Sequence, residues 1–177
     1  MTEQQAAAFA SLVDTLAAAG SAPDSEALGK VAHTLAKLFD ADPDEAAILR
    51  VDIKLKNLKF VIPEKLAAVG SIPLSSATAL AARTARERRA ELVNNFGTSR
   101  HASVFEGVPL GRGHGETIQK IMSAPILDGT HVRGVVQISR KGRSSAESGP
   151  DFTQKDLRIL TTLSPALERF LKLYQAG

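Results

Sequence analysis

The sequence predicts an α+β fold built on a central antiparallel sheet with helices gathered at its ends. Three observations carry this. Two apolar strands lie too close together for a crossover helix. A tight turn near Gly129 joins two longer strands. Residues 1–40 and 153–174 repeat their apolar side chains at helical spacing. Strands that pair locally while helices flank them argue against a doubly wound parallel sheet.

Phe9, Leu12, Val13 and Leu16 form one apolar stripe, and Gly20-Ser21-Ala22-Pro23 ends that helix. Asp24 or Ser25 caps a second helix whose inner face is Leu28, Val31, Leu35 and Leu38. Ala46 to Val51 reads as a short apolar strand. Leu58, Phe60 and Ile62 alternate with Lys59 and Val61 in a half-buried one, which Pro63 closes. Gly70 to Pro73 reads as a loop. Ser75 or Ser76 caps a helix through Ala77, Leu80, Ala81 and Thr84, ending in Arg86, Arg88 and Arg89. Glu91 to Asn94 is a short strand. From Asn95 to Thr117 no period holds, glycines recur, and a long loop is expected, with a helical turn near Ala102 to Phe105.

Ile118 to Leu127 is a strand, Asp128-Gly129 a hairpin signal, and His131 to Ser139 the returning strand. A polar loop from Lys141 to Pro150 follows. Thr153 with Asp156 makes a capping box, and Phe152 with Leu157 a hydrophobic staple. Leu160, Leu163, Leu167, Phe170 and Tyr174 then continue as one helix, a seam longer than a small sheet needs.

Composition narrows the function. The 177 residues suit one domain with flanking helices, and 44% hydrophobic content fills one core. A net charge of +3 is no nucleic-acid footprint. The chain has no cysteine, which removes disulfides, thiolate metal sites, thiol nucleophiles and thioether-linked chromophores, and agrees with a reducing compartment. Met1 to Gly20 carries Glu3 and Asp14 without a basic leader, and no apolar run approaches the ~20 residues a bilayer demands. The expectation is a soluble, cytoplasmic protein with neither nucleic-acid nor membrane partner.

Two stretches resemble one family. Ser123-Ala124-Pro125-Ile126, a turn, and Arg133-Gly134-Val135-Val136-Gln137-Ile138-Ser139-Arg140-Lys141 are similar to the paired central strands of GAF domains. Asp151-Phe152-Thr153-Gln154-Lys155-Asp156-Leu157-Arg158-Ile159-Leu160 resembles their closing helix, and the likeness covers residues 24–172. It implies a GAF-like (profilin-like) fold: a central antiparallel sheet, N- and C-terminal helices packed together on one face, and a small-ligand pocket on the other, roofed by residues 95–117. It also implies dimerisation through the terminal helices and a regulatory role toward a protein partner. Residues 1–23 are then a separate helix and dimerisation element, and 24–177 the sensor domain.

The resemblance also excludes. Bilin attachment and free methionine sulfoxide reduction in this family use cysteines, which this chain lacks. Of the family's cyclic-nucleotide signature, Asn-Lys-x(n)-Phe-x(3)-Asp-Glu, Phe152 and Asp156 remain, but the Asn and Glu do not.

The candidate ligand-binding residues are Asn94, Asn95, Arg100, His101, Phe105 and Gln137. A guanidinium and an imidazole in the roof can hold a carboxylate or phosphate; the alternative is that they are solvated loop residues. Phe105 and Val108 either cover an apolar ligand or plug the pocket as core. Arg83, Arg86, Arg88 and Arg89 face an acidic partner or form a solvated helix end. His33, His101, His114 and His131 are too scattered to make a metal set. Gly111-Arg112-Gly113-His114-Gly115 lacks a following Lys-Ser/Thr and precedes a strand, and no nucleophile, base and acid share a motif spacing. The cofactor, if any, is not legible. The sequence thus predicts a non-catalytic small-ligand sensor. The alternative is a ligand-free dimerisation or docking module, built on the Leu157–Tyr174 seam and the Phe9–Leu16 stripe.

Overall fold

The computed structural model describes residues 3–98 and 116–174. Helix α1, Glu3–Ala18, buries Phe9 and Val13 from the predicted stripe. Helix α2, Ser25–Lys37, starts at Asp24, whose carboxylate accepts from the Ala27 amide at 2.9 Å. A 3₁₀ turn, Pro43–Glu45, leads into β1, Ala46–Asp52, which pairs antiparallel with β2, Asn57–Ile62.

The next segment departs from the sequence reading. A short helix α3, Glu64–Ala67, intervenes, and Ser71–Pro73 is an edge strand, β3, rather than loop. β3 sets Ile72 opposite Leu58 and covers that apolar side chain, a gain no local pattern announces. Helix α4, Leu80–Glu87, begins later than expected: Ser76 accepts from the Ala79 amide at 3.1 Å and so caps a turn ahead of the helix.

β4, Glu91–Val93, then β5, Thr117–Asp128, and β6, His131–Gly142, complete a six-stranded sheet of order β3-β2-β1-β6-β5-β4, antiparallel throughout. Asp128 pairs with His131, so the tight turn is Gly129-Thr130, one residue beyond the predicted pair. Gly129 takes φ +61°, which the first central position of a hairpin turn of this hand requires.

The terminal segment is two helices, α5, Gln154–Thr162, and α6, Ser164–Lys172, instead of one. Pro165 lacks the amide needed to continue the ladder, and the Ser164 hydroxyl turns aside to accept from the Leu127 amide at 3.0 Å. The apolar spacing runs through the break, so periodicity alone could not show it. Leu157, Leu160, Leu163, Leu167 and Phe170 are all buried in the chain's own core. The seam's length is therefore taken up by α1 and the sheet.

Strand alternation splits the core into two faces. Ile48, Met122, Ala124, Ile126, Val136 and Ile138 join the side bearing α1, α2, α5 and α6. Leu49, Leu58, Phe60 and Val135 pack on the opposite side against Leu66, Ile72 and the alanines of α4. Arg169 of α6 also meets Asp14 of α1 at 3.2 Å, an exposed pair that adds little to the packing of the two helices.

The capping box is present: Thr153 Oγ1 accepts from the Asp156 amide at 3.2 Å, and Asp156 Oδ2 from the Thr153 amide at 2.8 Å. Thr153→Ala removes one of these bonds from an exposed helix end. It is expected to cost about 1 kcal/mol in a denaturant melt; an unchanged midpoint would show the box to be ornamental.

Candidate functional site

On the sheet face opposite the terminal helices lies a small cavity of about 50 Å³. Alternation along β1, β5 and β6 puts Ala47, Ile121, Gln137 and Ser139 on its floor, while Phe60 and Leu80 stand at its sides. Ala47 contributes only a methyl group, which leaves the space open. The volume admits one or two waters; anything larger requires the walls to open.

A buried relay runs under Gln137. Thr84 Oγ1 donates to the Leu80 carbonyl at 2.9 Å and lies 2.7 Å from Ser123 Oγ. The single Thr84 proton is thus engaged, so Ser123 donates to Thr84 and must accept elsewhere. Gln137 Nε2 supplies that donor at 3.1 Å. The relay fixes the amide's orientation. It leaves Oε1 of Gln137 as an acceptor and the second N–H as a donor, both at a cavity-lining position.

The other rim is charged but internally paired. Glu45, buried, accepts from the Asp42 amide at 2.9 Å and the Lys141 amide at 2.6 Å. Ser139 Oγ donates to the Glu45 carbonyl at 3.3 Å, and Lys141 Nζ to the Asp44 carbonyl at 2.9 Å.

The predicted residues are placed as follows. Gln137 lines the cavity. Asn94 does not: its Nδ2 donates to the Phe152 carbonyl at 3.0 Å and its Oδ1 accepts from the Phe152 amide at 2.9 Å, clamping β4 to the start of α5. Asn95 is exposed just beyond β4. Arg100, His101 and Phe105 lie outside the described residues, as do Val108, His114, the glycine run from Gly111 and the turn expected near Ala102. Sequence reasoning missed Ala47, Thr84, Ser123 and Ser139. On the strands the one local signal is a small or hydroxyl side chain, at Ala47, Ser123 and Ser139, where alternation favours a large apolar one.

Ser139, Arg140 and Lys141, near the end of β6, are engaged in holding the fold. Arg140 is buried, donates to the Pro150, Asp40 and Phe39 carbonyls at 2.8, 3.2 and 3.1 Å, and stacks on Phe152 with 4.5 Å to the ring centre. The arginine cluster is also occupied. Arg83 forks onto Glu91 at 2.8 and 2.9 Å, Arg86 reaches the Leu74 and Ser76 carbonyls, Arg88 the Thr130 carbonyl, and Arg89 pairs with Glu87. Among the described residues no three histidine, aspartate or glutamate side chains gather as a metal would require, and no helix is long and apolar enough to cross a membrane.

No curated protein sequence matches the chain. Solved structures do. The GAF domain of a phosphoenolpyruvate-protein phosphotransferase from Acinetobacter is 15% identical, with a TM-score of 0.66 over 97% of this chain and 95% of that one. Its counterpart from Coxiella burnetii is 13% identical, with a TM-score of 0.62 over 97% and 96%. A free methionine-R-sulfoxide reductase from Neisseria meningitidis, in complex with its substrate, is 15% identical, with a TM-score of 0.59 over 100% and 96%. At such identities the likeness is one of fold. A sequence model of the GAF domain matches residues 21–171, nearly the whole chain. With its antiparallel six-stranded sheet and packed terminal helices, this protein belongs to the GAF domain family.

Proposed function

We propose that the chain is a non-catalytic sensor domain that takes a small ligand on the β1–β6 face opposite the terminal helices and signals through those helices. The observation that carries this is the Gln137 relay: a buried Ser123–Thr84 pair orients one amide at a cavity, leaving it one donor and one acceptor. Small-molecule sites are mostly apolar with a few oriented polar groups, which is the composition found here. Residues 95–117, with Arg100, His101 and Phe105, roof the pocket in this reading, and Asn94 and Asn95 flank it. The lack of any cysteine sets the chain apart from thiol-dependent chemistry on the same fold, and supports sensing over catalysis. A cytoplasmic setting and a regulatory protein partner belong to the same reading.

A thermal-shift screen against nucleotides, amino acids and organic acids tests it. A ligand at a hundred times its Kd stabilises by about 2.7 kcal/mol, which is a rise of roughly 5–10 °C for a chain of this size. Gln137→Leu is expected to erase that rise. A screen without hits, or a hit indifferent to Gln137→Leu, would rule the pocket out.

The second reading, a dimer through the terminal helices with residues 1–23 as its element, rests on Leu12 and Leu16, which stay half-buried on α1. Light scattering at high concentration decides it; a strict monomer removes it.

A further inference from the structure

A second, larger cavity of about 360 Å³ opens where β1 and β6 meet the end of α6, bordered by Arg50, Asp52, Lys54, Val132, Arg133 and Tyr174. Its polar chemistry is one-sided. Asp52 is the one carboxylate among the described residues that line it and is already engaged, accepting from the Leu55 amide at 3.0 Å and pairing with Lys59 at 3.0 Å. Those two partners hold its carboxyl below the usual carboxylate range. Arg133 gives one Nη to Asp128 at 3.1 Å, yet its Nε is buried with no partner among the described residues. The Tyr174 hydroxyl is likewise buried with no partner among the described residues. Arg50 has no hydrogen bond or ion pair among the described residues.

The unmatched groups are therefore a guanidinium, a guanidinium N–H and a phenol O–H. A buried donor left alone costs about 1–3 kcal/mol, and native structures rarely leave two at one cavity without a reason. Waters would satisfy the donors but not the positive charge. A planar or tetrahedral oxyanion satisfies both, since arginine forks match carboxylate and phosphate oxygens. The volume corresponds to roughly a dozen water-sized groups, the lower end of small-molecule sites. Val51, Val132 and Leu171 supply an apolar wall.

We propose that this cavity binds a soluble small molecule through a phosphate or carboxylate group, held by Arg50 and Arg133 with Tyr174 donating to it. It lies beside the terminal helices, on a different set of residues from the Gln137 pocket, and does not depend on that pocket's role. Burial, with the charge of Glu64, pushes the Tyr174 hydroxyl up to about 12 despite the opposing charge of Arg50, so the phenol remains a donor at neutral pH.

Tyr174 is the chain's one tyrosine and there is no tryptophan, so tyrosine fluorescence reads this cavity alone. The full chain is titrated with inorganic phosphate, with acetate, and with chloride at matched ionic strength. A saturable change with phosphate, acetate or both, absent with chloride, is expected, and the active anion identifies the group recognised. Arg50→Gln and Arg133→Gln should each weaken it at least tenfold; circular dichroism confirms which of the two is folded, and either suffices. The same unsaturable response to all three anions, or saturation unaltered in a folded variant, would overturn the proposal.

Discussion

Replacing Arg140 by leucine is expected to lower stability by about 3–5 kcal/mol, the range for breaking a buried charged contact. Three carbonyls, from the end of α2, the turn after it and the loop before α5, lose their donor together. Hydrogen bonds from a charged donor are worth about 1.5–3 kcal/mol each, and the stack on Phe152 adds about 1–2 kcal/mol where water is excluded. Relaxation recovers part of that sum. Domains are stable by only about 5–15 kcal/mol, and the variant should melt roughly 6–20 °C lower. Arg140→Lys keeps the charge but cannot span three carbonyls, and should fall between. Arg158, exposed on α5, is the control, and its leucine variant should stay within about 0.5 kcal/mol of the parent. A leucine variant at 140 that melts with the parent would mean that these bonds contribute nothing net.

The second large effect is predicted at Gly134. Its Cα lies in β6 between Arg50 of β1 and Ile126 of β5. A Cβ there would overlap the Leu49 carbonyl oxygen and stand 2.6 Å from Leu171 Cδ1. The side-chain clash can relax by a rotamer change; the backbone clash cannot, because strands on both sides fix the glycine. Gly134→Ala is expected to cost about 3 kcal/mol or more, the upper part of the overpacking range. It should also disturb the cavity that Arg50 and Leu171 border, proposed above to bind an anion. Gly29 is the opposite case. It sits exposed in α2 with open space around its Cβ position, so Gly29→Ala should stabilise by about 0.5–1 kcal/mol. Equal melting temperatures for the two variants would show that crowding at Gly134 has no weight.

Much of the candidate chemistry was only half legible. Gln137 and Asn94 are both ligand-binding candidates in the sequence, and Gln137 lines a cavity. Asn94 is instead a clamp, because both ends of its amide meet the Phe152 backbone. Nothing local separates the two cases. The arginines at 83, 86, 88 and 89 read in the sequence as either a face for an acidic partner or a solvated helix end, and each finds an acceptor in its own chain.

The sequence by itself determined what acts within a turn or two of chain: the Thr153 cap, the apolar faces of α1, α2 and α4, the strand alternation and the hairpin between β5 and β6. Those signals live between residues one to four apart, where sterics and hydrogen bonding are local. Only the tertiary structure decided the rest: the β3 edge, the break before Pro165, the three carbonyls around Arg140, and a cavity built from residues near 50, 133 and 174. Those partners stand far apart along the chain, and which groups meet depends on how the sheet and helices pack, a choice that no short window of sequence encodes.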